Sequence, residues 1–221
     1  MTDMPLSHVV YGTRDVEFTA ARLRDEVGLE AVRGSRFPEL GLADWFIPFE
    51  DQYVELLTVA DDDVAARTPF GRWVSDRTAG GDHLLAWALE AGDDLDRVAQ
   101  RLDLEPDALA FVDRTGVTRS SQLVGAARAF AEPCFPYFIA WNEPAEIRRG
   151  LAEASASIEH GSGARGIAWV EVSGDVDALS AWLDDGVDGG GIPVRVSPGE
   201  AGLLAVGLAT SNGEVVLRAK D

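Results

Sequence analysis

Glu55 stands inside the apolar run Tyr53-Val54-Glu55-Leu56-Leu57, where an ionised carboxylate is costly to bury unless it is paired or bound to a metal. An arginine such as Arg36 or Arg128 is the ordinary partner. Two of the chain's three histidines occupy matching places: His8 heads Ser7-His8-Val9-Val10-Tyr11, and His83 heads Asp82-His83-Leu84-Leu85-Ala86. A lone histidine near a strand start is usually a hydrogen-bonded structural residue. Two of them in a repeated phrase mark a duplicated unit, and a duplicated unit can build one site at its centre.

Apolar periodicity defines the elements that must position these residues. His8 to Thr13 is a strand-type run; Val16, Ala20, Leu23 and Val27 recur at helical spacing, and Gly28 can end that helix. Strand-like pieces follow at Glu30 to Gly34, Asp44 to Phe49 and Gln52 to Val59, the last two split by a tight Glu50-Asp51 turn. The same order returns as a strand from His83 to Leu89, a helix from Leu95 to Leu102 opened by Asp93-Asp94, and strands at Leu109 to Asp113, Gln122 to Ala131 and Tyr137 to Asn142.

A third, shorter version has strands at Gly166 to Val172, Val194 to Val196, Leu203 to Ala209 and Glu214 to Ala219, with a helical stripe of Val176, Leu179, Trp182 and Leu183. Its first strand has no histidine, so it is expected to be structural, packing against the first two units or extending their sheet. The expected organisation is a first module over 1–60, a connecting segment with one short helix over 61–81, a second module over 82–145 and a C-terminal module over 146–221. Repeats that cannot bury their own faces alone associate with their neighbours.

The 221 residues are 46% hydrophobic, enough for a buried core, and carry a net charge of -19. The acids are spread along the chain, which disfavours nucleic acid and anionic membranes. Lys220 is the only lysine. Cys134 has no partner for a disulfide within the chain, and no zinc-type cysteine cluster is possible; it is expected to be a small buried residue between Pro133 and Pro136. No leader pattern or membrane-spanning apolar run is visible, so a soluble, cytoplasmic protein is expected.

The repeated strand-helix-three-strand unit, with His8 and His83 in the first strands and Glu55 in a fourth, resembles the vicinal oxygen chelate superfamily. Within it, Gly34-Ser35-Arg36-Phe37-Pro38-Glu39-Leu40-Gly41, Tyr53-Val54-Glu55-Leu56-Leu57 and Pro136-Tyr137-Phe138-Ile139-Ala140-Trp141 are similar to the glyoxalase-like domain proteins. The resemblance implies an α+β fold in which repeated βαβββ modules form a cup-shaped mixed sheet with helices on its outer face. A third, shorter βαβββ-like module is added to it here. It further implies a divalent metal held from the first and fourth strands of each module, places that fall on His8, Glu55, His83 and Ala140. Alanine cannot ligate, so the implied set is His8, Glu55 and His83. Two imidazoles and a carboxylate suit Zn, Fe, Mn, Ni or Co and leave open positions for water and a bidentate substrate.

Strand alternation extends the site, because residues two apart share a face. With His8, Glu55 and His83 pointing inward, Val10, Tyr53, Leu57, Leu85 and Trp87 follow them, and Phe138, Ala140 and Asn142 share a face on the last strand of the second module. Tyr53, Trp87, Phe138 and Asn142 are the expected substrate contacts, with Trp141 on the opposite face. A strand bulge would invert some of these assignments.

Three functions are expected in descending order. The first is a metal-dependent lyase, isomerase or dioxygenase acting on a small oxygenated or aromatic molecule. The second is a metal-free protein that binds or sequesters a small molecule on the same fold. The third is an interaction or structural role centred on the C-terminal module, for example self-association as a homodimer. His160 and Gly189-Gly190-Gly191 are expected in loops, Ser120-Ser121 carries no nucleophile motif, and Trp45, Trp73, Trp169 and Trp182 are expected in or near the core.

Overall fold

Helix α1 (Val16–Val27) shows how local chemistry sets the frame. The Asp15 side chain accepts a hydrogen bond from the Phe18 amide at its start, and Gly28 closes it with φ 65°, its amide bonded to Arg24. A side chain at Gly28 would also meet the backbone of Ser162, which crosses over this corner. A computed structural model of the chain describes residues 4–143, 155, 157–184, 193–211 and 213–218. Gly189 to Gly191 and Lys220 lie outside the described residues.

In chain order, β1 (Leu6–Gly12), α1, β2 (Val32–Phe37), β3 (Leu42–Pro48) and β4 (Tyr53–Val59) form the first run. Helices α2 (Asp62–Ala65) and α3 (Pro69–Thr78) follow, where the sequence suggested one short helix; Thr68 caps α3 and Pro69 opens it. Then come β5 (His83–Glu90), α4 (Leu95–Leu102), β6 (Asp107–Val112), β7 (Thr118–Val124), α5 (Ala126–Ala131) and β8 (Tyr137–Trp141). The expected strand over 122–131 is therefore strand and helix. Gly125, at φ 80°, turns the chain, and the alanine-rich segment after it coils into α5.

These eight strands close on themselves in the order β1-β4-β3-β2-β6-β7-β8-β5. The resemblance implied a cup-shaped sheet; here the strands form a closed ring, completed by the pairing of Arg36 with Val112 between β2 and β6. Strand β1 runs antiparallel to β5 and parallel to β4, and β5 runs parallel to β8. One end of the interior is filled by Val10, Leu57, Leu85 and Ala86 with Val74 of α3, and the other end is open.

The C-terminal residues form β9 (Gly166–Ser173), α6 (Val176–Leu183), β10 (Val194–Ser197), β11 (Gly202–Thr210) and β12 (Gly213–Arg218), a separate four-stranded sheet rather than an extension of the first. It covers the outer face of the barrel. Trp182 of α6 meets Phe135 at 5.5 Å and Phe138 at 6.2 Å between ring centroids, and its indole N–H donates to the Pro136 carbonyl. His160 is not a free loop residue. It is buried, accepts the Glu30 amide at Nδ1 and donates from Nε2 to the Pro48 carbonyl at 2.8 Å, pinning the start of this region to the barrel. No helix among the described residues is long and apolar enough to cross a membrane.

Candidate functional site

The open end of the barrel holds a cavity of about 650 Å³, bounded by β3, β4, β1, β8, β7 and β6 and by the turns around Asp51 and Arg114. Three inward residues of β3 and three of β4 face each other there, Phe46 opposite Glu55 and Pro48 opposite Tyr53, with Asp44 opposite Leu57 deeper in. His8 enters from β1, next to Tyr53 in register, and the two rings stack at 4.6 Å.

His8 is buried and fully engaged. Its Nε2 lies 2.5 Å from the Tyr137 hydroxyl and its Nδ1 lies 3.0 Å from Ser7 Oγ. Burial pushes Tyr137 well above the usual phenol range, so its O–H donates to Nε2, and the Nδ1–H of His8 donates to Ser7. Burial also lowers His8 to about 3, leaving the imidazole neutral. Glu55 Oε2 stands 3.7 Å from Nε2, beyond direct hydrogen-bond range.

Glu55 has neither arginine as its partner. It is hydrogen-bonded to Asp44, and burial followed by the Asp44 charge raises its proton affinity well above the carboxylate range. Burial raises Asp44 to about 7 against the opposing pull of the Ser35 amide, which donates to Asp44 Oδ1 at 2.6 Å. Two carboxyl groups in contact share a proton, since both cannot ionise at that distance. Glycine at position 34 makes room for the arrangement: a Cβ there would lie 1.7 Å from Asp44 Oδ1. The ladder between β2 and β3 shifts register over Arg33 to Arg36, at this same point.

Of the expected metal set, His8 and Glu55 converge and His83 does not. His8 pairs with Ala88, whereas His83 pairs with Gly12 at the far end of the β1–β5 ladder. That is roughly 15 Å along a strand. His83 is half-buried there, its basicity lowered by burial and then by Arg77. Among the described residues no three His, Cys, Asp or Glu side chains are grouped so that they could hold a metal ion. The implied metal does not fit this donor set, because the Nε2 of His8 is also occupied by Tyr137.

The expected lining changes for the same geometric reason. Tyr53 lines the cavity, as do Val10 and Leu57 the barrel interior below it. Trp87 does not: it pairs with Val9, sits in the outer core and donates its indole N–H to the Cys134 carbonyl. The register of β5 skips Leu85 between Ala86 and Leu84, a bulge that inverts the alternation counted from His83. In β8 the inward residues are Tyr137, Ile139 and Trp141, so Phe138 faces Trp182 outside, and Asn142 bonds Ser120 on the surface. Ala140 also faces outward, packed against the outer core, and is not the fourth ligand place.

Register identifies the true counterparts. Ala88 faces Tyr137 as His8 faces Tyr53, and Glu90 faces Ile139 as Val10 faces Glu55. The second half of the barrel thus presents Ala88 and Ile139 where the first presents His8 and Glu55. Asp44, Phe46, Phe111 and Tyr137 were not singled out from sequence, and Trp141, expected on the opposite face, lines the cavity. A signal for β8 existed: Tyr53 and Tyr137 each open a fourth strand, and aligning them places Ile139, not Ala140, beside Glu55. Asp44, an acid in an apolar strand, carried the same mark as Glu55.

The sequence model described as the glyoxalase-like domain matches residues 6–186. The chain belongs to this family. A crystal structure of a Staphylococcus aureus protein described as hypothetical matches this glyoxalase-like chain with a TM-score of 0.62 at 14% identity, covering 99% of this chain and 86% of the other. Methylmalonyl-CoA epimerase from Mycobacterium tuberculosis matches at a TM-score of 0.46 and 12% identity, over 67% of this chain and 95% of its own. The Streptomyces coelicolor epimerase, solved with 2-nitronate-propionyl-CoA, gives 0.46 and 15%, over 65% and 100%. No curated protein matches the chain. For this glyoxalase-like protein the likeness to the Staphylococcus aureus structure shows the fold alone.

Proposed function

We propose that this glyoxalase-like protein binds a small, partly aromatic or oxygenated molecule directly on protein side chains, without a metal. The observation that carries this reading is the register: Ala88 and Ile139 stand where His8 and Glu55 stand in the first half, and His83 lies at the other end of the strand. A cavity of about 650 Å³, with aromatic walls and a few convergent polar groups, is of the size that small-molecule sites have.

Elemental analysis of the full chain tests it, after chelation, incubation with Zn²⁺, Mn²⁺, Ni²⁺, Co²⁺ or Fe²⁺, and desalting. We expect far less than one ion per chain and no difference between wild type and the His8→Ala or Glu55→Ala variants. One retained ion per chain, lost in both variants, would restore the metalloenzyme reading.

The Asp44–Glu55 pair favours a second reading, in which the cavity also transfers protons to or from its ligand. A carboxyl group that keeps its proton at neutral pH can protonate a ligand oxygen, and its ionised neighbour can take a proton from carbon. Ligand held with the protein in D₂O would acquire deuterium at carbon, read by NMR, and Glu55→Gln would abolish the exchange.

A further inference from the structure

Ring contacts run around the cavity wall in an unbroken series. Between centroids, Phe46 meets Tyr53 at 6.0 Å, Tyr53 lies on His8 at 4.6 Å, His8 meets Trp141 at 6.5 Å, Trp141 meets Phe111 at 6.2 Å, and Phe111 meets Phe37 at 6.1 Å. These rings come from β3, β4, β1, β8, β6 and β2, so the series passes around most of the barrel. Aromatic faces carry negative electrostatic potential, and several of them around a desolvated space attract a positive charge.

The charges on the same wall have the matching sign. Asp44 and Glu55 lie in it and, sharing a proton, supply at most one negative charge between them; Glu143 stands beyond Trp141, and Glu50 and Asp51 are exposed at the mouth. Of the two arginines bordering the space, Arg119 is held by Asp113 at 2.5 Å and Arg114 is exposed to solvent. Two acceptor oxygens have no hydrogen-bond partner among the described residues: Oγ of Ser121, whose residue is 0% exposed, and the buried Oε1 of Glu143. Both residues line the cavity. Buried acceptors without donors are costly, and a ligand that brings N–H donors removes the cost.

We propose that the cavity is a site for an organic cation, an amine bound as its ammonium ion with an apolar or aromatic body, the charge lying among the rings and its N–H groups donated to the acceptor oxygens of the wall. This rests on the reading of the cavity as a metal-free binding site and assigns the charge of what it binds.

Calorimetric titration of the full chain with three probes of equal length tests the assignment: 4-phenylbutylammonium, 4-phenylbutanol and 4-phenylbutyrate. The ammonium ion is expected to bind once per chain and about tenfold tighter than the alcohol, with the carboxylate weakest. Alcohol or carboxylate binding as tightly as the ammonium ion would overturn the cation site while leaving metal-free binding intact. Failure of all three to bind would overturn the binding reading, and the cation site with it. Trp141→Leu is expected to weaken the ammonium ion more than the alcohol; equal losses would overturn the role of the rings. Phe46→Leu, at the other end of the series, gives the same comparison where Trp141→Leu does not fold.

Discussion

Asp44 and Glu55 lie diagonally across the β3–β4 ladder, Asp44 opposite Leu57 and Glu55 opposite Phe46, and their carboxyl groups are hydrogen-bonded within the cavity wall. One accepts because the other keeps its proton. The pair therefore couples the stability of the barrel to pH.

Asp44 is raised to about 7 and Glu55 well above its usual range, so the folded chain holds more protons than the unfolded chain between about pH 4 and pH 7. Stability from this pair is greatest in acid and falls as pH rises through that window. Glu55→Gln keeps a donor for Asp44 and removes the ionisation. Urea unfolding is expected to show the variant equal to wild type near pH 4 and about 1–2 kcal/mol more stable at pH 8. A difference independent of pH would sink the shared-proton account.

His8 acts in the opposite sense. Its folded value of about 3 lies below the ordinary 6.5, so the unfolded chain binds the extra proton, and stability is lost as pH falls from about 6.5 towards 3. His8→Asn forfeits the Tyr137 bond and is expected to cost about 1–3 kcal/mol at pH 7. The deficit should shrink on acidification, because asparagine has no proton to gain. Unfolding curves at several pH values would show whether the gap narrows.

Gly34→Ala drives a methyl group onto Asp44 Oδ1 and towards Phe46. Overpacking of this kind is expected to cost about 1–3 kcal/mol in wild type. In an Asp44→Ala background the cost should fall by about 1 kcal/mol, the non-additivity of residues in contact. Simple additivity in the double mutant would show that the two side chains do not compete for this space.

His160→Ala removes the acceptor for the Glu30 amide and the donor to the Pro48 carbonyl, leaving two barrel groups without partners. A loss of about 2–4 kcal/mol is expected from two such groups. Hydrogen exchange at the Glu30 amide should quicken in the variant. Unchanged protection there would mean that the bond does not hold this corner.

Much of the fold was legible from local signals. The α1 helix follows its apolar period and ends at Gly28, and the α6 stripe of Val176, Leu179, Trp182 and Leu183 forms where its spacing indicates. Local signals failed where two states compete over few residues, as between Val124 and Ala126, where one glycine turns strand into helix. Within the site, His8, Glu55 and Tyr53 were recognisable because each lies in a strand whose phase its own run defines. Trp87, Phe138 and Asn142 were assigned by carrying a phase from one strand to the next, and that phase is not a local property.

The order of the strands and of the helices α1, α4 and α6, the burial of Glu55 and the place of His8 were determined by the sequence alone, because apolar periods, caps and the cost of burying charge act over a few residues. Which side chains share the cavity was decided only by the tertiary structure. Side chains alternate at every residue, so the bulge at Leu85 and the pairing of Ala88 with Tyr137 turn His83, Trp87 and Phe138 away and bring Asp44, Tyr137 and Trp141 together.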